Sequence, residues 1–176
     1  MRIAFLSRWN ATCGISVHAE LVGRELKRMG NEILVFAPSV GSAGKWWHHK
    51  IIREDEAWVI RCYEEIEPGT RGGGSLDVET ILSARFDAII VESYRSLPHL
   101  GVEDLLKRLS DEVARLLVVH NGGYDDPLRL PPELFDVVVV FDKRYVKEVL
   151  GGWRENVRII PYPCIPPRPG RREKPE

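Results

Sequence analysis

The sequence predicts an α/β fold built on a doubly wound, mostly parallel sheet of about seven strands. Three observations carry that expectation. Short apolar runs of strand length alternate with longer stretches whose apolar residues recur at helical spacing. Several of the runs are continuous and rich in Val or Ile, as strands buried on both faces are. The order strand, helix, strand calls for right-handed crossovers, which place helices on both faces of the sheet.

The elements follow in order. Ile3-Ala4-Phe5-Leu6 is the first strand, followed by a polar connection from Ser7 to Cys13. Ile15, Ala19, Val22, Leu26 and Met29 then form one face of an amphipathic helix, with Gly30 at the expected stop. Ile33 to Ala37 is a strand ended by Pro38. The stretch from Ser39 to Ala57, with Trp46-Trp47-His48-His49, has no regular pattern. Trp58 to Cys62 reads as a strand, and Gly72-Gly73-Gly74 as a mobile or sharply bent loop. A helix from Leu76 to Ala84 follows, with Ser75 as its candidate N-cap. Ala88 to Val91 is a strand, and Val102, Leu105, Leu106, Leu109 and Val113 make a second helical stripe. Leu116 to Val119 and Val137 to Phe141 are further strands. Asp142 caps a helix through Leu150, and Val157 to Ile160 is the last strand. Residues 1–160 are therefore expected to form one Rossmann-like domain. Residues 161–176 hold six of the twelve prolines and four basic residues, and read as a linker or tail.

Composition narrows the function classes. At 176 residues the chain is long enough to bury a core without disulfides or metal. Its 25 Lys and Arg nearly balance 26 Asp and Glu, which argues against nucleic acid as a partner. Three dispersed cysteines, no strongly apolar run of about 18 residues and no leader-like N-terminus point to a cytoplasmic protein. Glutamine is absent and Asn occurs only at positions 10, 31, 121 and 156, a bias reported for hyperthermophiles.

Ligands of doubly wound sheets bind beyond the carboxyl ends of the strands. In the first such loop, the backbone N–H groups of Gly14, Ile15 and Ser16 open a helix and can hold a phosphate; Gly14 serves equally as a simple turn. His120 ends a strand and precedes Asn121-Gly122, which places it well to donate to a ligand oxygen. Trp46 and Trp47 can stack on an acceptor or fold back onto the core. Glu92 and Ser93 follow a strand and are candidates for the same cleft. His18, in the first turns of the first helix, can face the phosphate site, with an exposed helical histidine as the default reading. His48 and His49 lack a third ligand at metal-site spacing, so neither a metal nor another cofactor is expected. The dinucleotide and P-loop fingerprints are missing.

Several of these segments together resemble the N-terminal domain of family 4 glycosyltransferases of the GT-B fold. The family's glycine turn and following helix are matched by Cys13-Gly14-Ile15-Ser16-Val17-His18-Ala19-Glu20-Leu21, then Leu26 to Gly30 and Asn31 to Val35. Its T-V-H-[DG] segment is matched by Val118-Val119-His120-Asn121-Gly122, and its I-P-N-G-V-D linker is echoed by Ile160 to Ile165. Cys13 replaces the first glycine of the pair, and Asn121 replaces the usual Asp or Gly. The pair Glu56 and Glu64 matches the family's E-x7-E motif in the wrong domain and is read as chance.

The resemblance implies half of a GT-B enzyme: an acceptor-binding domain in a retaining, metal-free transfer of a sugar from a nucleotide-sugar donor. Gly14 and Ile15 would touch the donor diphosphate and His120 the transferred sugar. A second domain would hold most of the donor. The chain stops at Glu176, about where the family begins that domain, so the isolated chain is expected to be inactive and prone to self-association. The acceptor, lipid or carbohydrate, is left open, and a lipid acceptor would bring the protein to the inner face of the membrane. The competing reading is a non-catalytic Rossmann-like module that binds a sugar, a phosphorylated ligand or a partner protein.

Overall fold

The computed structural model describes residues 1–43, 50–67, 70, 73–122 and 126–164. Eight strands form one sheet: β1 (Arg2–Leu6), β2 (Glu32–Pro38), β3 (Val59–Glu64), β4 (Ser75–Leu76), β5 (Ala88–Ser93), β6 (Ala114–Val119), β7 (Val137–Val140) and β8 (Val157–Ile159). Their spatial order is β4-β3-β2-β1-β5-β6-β7-β8. All neighbours are parallel except β3 and β4. The α-helices are α1 (Gly14–Arg28), α2 (Val40–Ala43), α3 (Val78–Ser83), α4 (His99–Arg108) and α5 (Lys143–Glu148). This is the Rossmann-like α/β architecture expected from the sequence, and the seven expected strands stand in their expected places.

The eighth strand and the start of α3 differ from expectation. Ser75 does not cap a helix: Ser75 and Leu76 pair with Glu64 and Tyr63 as a two-residue antiparallel edge. Asp77 is the cap instead, its carboxylate accepting from the Thr80 N–H at 3.0 Å. A two-residue strand is too short to show a period, and an Asp two residues further on competes well for the cap. The second stripe also breaks early. α4 ends at Arg108, and Leu109 turns to extended backbone while still burying its side chain in the core.

Alternation along the strands divides the core in two. Ala4, Leu6, Ile89, Val91, Leu117, Val119, Val138 and Val140 face one side, against Ile81 of α3 and Val102, Leu105 and Leu106 of α4. Ile3, Phe5, Ile90, Val118 and Val139 face the other, against Trp9 and Ala19, with Val22 and Leu26 of α1 packed beside them. The sheet runs outward in two directions from β1 and β5, so the chain order reverses between them. The crevice of a doubly wound sheet opens at that reversal, beyond the carboxyl ends of these two strands. No helix among the described residues is long and apolar enough to cross a membrane.

Candidate functional site

The period of two places the site. Ile90 faces α1, so Glu92 does too; Val118 and Val139 likewise carry His120 and Phe141 to that face, one residue beyond the ends of β6 and β7. The β5–β6 register pairs Glu92 with Val118, which sets His120 diagonally beside Glu92. α1 crosses above, and His18, one turn from Gly14, points down onto the same spot.

The three side chains join. His18 Nδ1 lies 2.8 Å from Glu92 Oε1, and His120 Nε2 is hydrogen-bonded to Glu92 Oε2. Glu92 is fully buried, and the His18 and His120 side chains are only 6% and 8% exposed. Burial pushes the Glu92 carboxyl upward, but the hydrogen bonds from His120 and His18 and their charges outweigh it and hold it below the ordinary carboxylate range. Among the described residues no Lys or Arg pairs with Glu92. This is also the one group of three His, Cys, Asp or Glu side chains there whose ligand atoms converge, all within 4.8 Å of one another.

Aromatic rings fix the imidazoles. Phe141 packs edge-on against both, with centroids 5.4 Å from His18 and 5.0 Å from His120. Tyr162 does the same from the chain's last described segment, at 5.1 and 6.1 Å. Its hydroxyl donates to the carbonyl of Gly14. Burial, then the negative charge of Glu92, pushes the Tyr162 phenol up to about 12.

The α1 N-terminus lies on the same rim. Cys13 caps it with extended backbone and no side-chain hydrogen bond, and its first turn carries no acidic residue. The first three N–H groups of a helix have no acceptor within it. Here Val17 is the first to bond, to the Cys13 carbonyl at 3.0 Å, and no acceptor is found for Gly14, Ile15 or Ser16 N–H among the described residues. The Ser16 hydroxyl is turned inward. It donates to Glu20 Oε1 and accepts from Ala11 N–H, both at 2.9 Å. The Ser16 side chain is therefore taken up inside the fold, and the residue is fully buried.

The other expected site residues scatter. Ser93 is buried on the opposite face, and its hydroxyl has no partner among the described residues. Asn121 is buried, donating to Asp126 Oδ1 at 3.0 Å. Gly122 is exposed and lines a hollow of about 130 Å³ with Arg144, Tyr145, Glu148 and Val149. Trp46 and Trp47 lie outside the described residues, as do His48 and His49. Glu92 is not exposed in a cleft wall as its place after a strand suggested; it is the buried link between two histidines. His18, expected exposed, is 5% exposed.

Of the site's members, His18 reads by default as exposed, and Tyr162 is not singled out by the sequence. His18 falls three residues after Ile15 and four before Val22, so it belongs to the buried stripe of α1, a signal that spacing alone carries. Tyr162 stands in a Pro-rich segment with no periodicity, and nothing local points to it. A second buried network lies across the sheet. Arg8 donates to Glu65 at 2.6 and 3.0 Å and to Ser96 at 2.9 Å, and its guanidinium lies over the Tyr94 ring at 4.7 Å.

No family model matches the chain. Among solved structures it is similar to an α-glucosyltransferase in complex with UDP and a 13-mer DNA containing a central A:G mismatch. The identity is 12% and the TM-score 0.49; the match covers 81% of this chain and 37% of that one, so this chain spans little more than a third of that protein's length.

Proposed function

We propose that the chain is the N-terminal, acceptor-binding domain of a retaining glycosyltransferase of the GT-B type, family 4. It would act with a second domain that holds most of a nucleotide-sugar donor. The observation that carries this reading is a single residue. Tyr162 touches Gly14 through its hydroxyl and His120 through its ring, so the open helix N-terminus and the histidine border one space. In this reading the N–H groups of Gly14, Ile15 and Ser16 bind the donor diphosphate. They are preorganised dipoles that need no rearrangement as charge grows on the leaving phosphate. His120 is anchored through Nε2 on Glu92. Its Nδ1 has no partner among the described residues and is the atom available to a hydroxyl of the transferred sugar. The acceptor enters across the same rim.

The rim itself supports a domain interface. Val17, Val40, Leu100, Ile160 and Tyr162 are exposed hydrophobic residues, and all follow the carboxyl ends of strands or open the helices there. The test is to titrate a panel of nucleotide sugars into the chain while following amide and imidazole resonances. The expected result is weak binding, no tighter than about millimolar, with shifts confined to residues 14–16, His18 and His120. Submicromolar affinity, or shifts centred on a different cavity, overturns the reading.

A further inference from the structure

We propose that His18, Glu92 and His120 form a binding site for one divalent transition-metal ion, with zinc as its first candidate. The starting point is a buried carboxylate held between two imidazoles. Glu92 is a fully buried carboxylate, and among the described residues its only hydrogen-bond partners are two imidazoles, each contributing one nitrogen to one carboxylate oxygen. An ionised buried carboxylate needs a compensating cation. A divalent ion among the three groups satisfies two nitrogen lone pairs and the carboxylate at once. Two histidines and one carboxylate are the donor set that zinc and non-haem ferrous iron take, with positions left for exogenous ligands.

The three donors come from α1, β5 and the end of β6, so the site is set by the tertiary fold. That is why no sequence spacing announces it and why the sequence led to no expectation of a metal. Their ligand atoms lie within 4.8 Å of one another. The edge of a tetrahedron with zinc–nitrogen bonds is about 3.3 Å, so the ligand atoms must draw closer together when an ion binds. Phe141 and Tyr162 pack against both rings. The inference needs no sugar ligand and stands apart from the transferase reading.

The test uses the whole chain, stripped with a chelator and titrated with zinc sulfate and, separately, cobalt chloride. One equivalent of zinc is expected to remain after dialysis, and cobalt is expected to give visible d–d bands that zinc abolishes. His18→Ala, Glu92→Ala and His120→Ala are each expected to weaken zinc binding by about tenfold or more. The double variant His48→Ala/His49→Ala, which removes the pair of histidines consecutive in sequence, keeps it. Because variants of a buried cluster can fail to fold, imidazole nitrogen resonances of the unmodified chain give the second readout. Zinc is expected to shift His18 and His120 and to leave His48, His49 and His99 in place. Absence of stoichiometric binding overturns the proposal. So does zinc that shifts His48 and His49 instead, or that survives loss of Glu92 in a folded variant.

Discussion

Glu92 and Glu56 show two ways in which one carboxylate is held charged against burial. Glu92 has no water to face, and its two oxygens depend on two imidazoles. Removing one member of a buried pair leaves the others unpaired, so Glu92→Ala in metal-free protein is expected to lower the unfolding free energy by about 3 kcal/mol. Urea denaturation measures it. Glu92→Gln keeps an acceptor and two heavy atoms for the rings to meet, and is expected to lose less. An equal loss in both would mean that the carboxylate's charge matters and its shape does not. Glu56 is nearer the surface. Burial pushes its carboxyl up, but hydrogen bonds from Trp9, Arg24 and Asn10 win and hold it at about 2, against an ordinary 4.5. A carboxyl depressed in the folded state stabilises the fold fully above its unfolded pKa and loses that contribution as pH falls through the folded value. Glu56→Gln is therefore expected to be less stable than the unmodified chain at neutral pH. The gap should close between pH 4.5 and about 2. Thermal unfolding at four pH values across that window checks this, and a gap that stays constant down to pH 2 counts against it.

Elements that stay on one period were legible, and elements fixed by a single close contact were not. The seven strands and α1 each bury a stripe or run long enough to show its period. The connection into α3 depends on Gly74 instead. Its φ is +76°, and a Cβ there would lie 2.8 Å from the Glu64 carbonyl oxygen, so β4 can approach β3 only with glycine at that position. Gly73 has a φ of +85° but open space around it. Gly73→Ala is thus expected to cost about 1 kcal/mol for the left-handed backbone alone. Gly74→Ala adds a backbone clash and is expected to cost about twice that or more. Denaturant midpoints of the two variants compare them directly, and equal midpoints would show that the β3–β4 edge yields freely. The site was half legible for a related reason. Gly14 and His120 are marked by their places after strands, and His18 by the stripe it completes. Glu92 reads only as a residue past a buried run until register sets it beside His120. Tyr162 is joined to the site by a contact that spans most of the chain, which no local pattern records.

At the scale of the molecule, the two ends of the sheet differ. The carboxyl end carries the open α1 N-terminus, the buried His18–Glu92–His120 cluster and an exposed apolar rim of Val17, Val40, Leu100, Ile160 and Tyr162. The formal net charge of −1 gives copies of the chain little mutual repulsion. Met1, Met29 and Trp153 are exposed at the amino end, but the five residues of the carboxyl rim, with weak repulsion, favour association through that rim when no other domain covers it. We therefore expect the apparent mass in light scattering to rise with concentration toward a dimer. Leu100, at 73% exposure, and Val17, at 46%, lie on different helices, so Val17→Lys combined with Leu100→Lys charges two sides of the rim without touching the core. The double variant is expected to remain monomeric where the unmodified chain dimerises, with unchanged thermal stability. Trp153 is exposed to 64% but follows α5 and precedes β8, at the amino end of the strands, so Trp153→Lys is the control and is expected to leave dimerisation intact. Dimerisation lost in the Trp153 variant but kept in the double variant would put the contact at the opposite end of the sheet. It would then remove the apolar rim from the case for a domain interface.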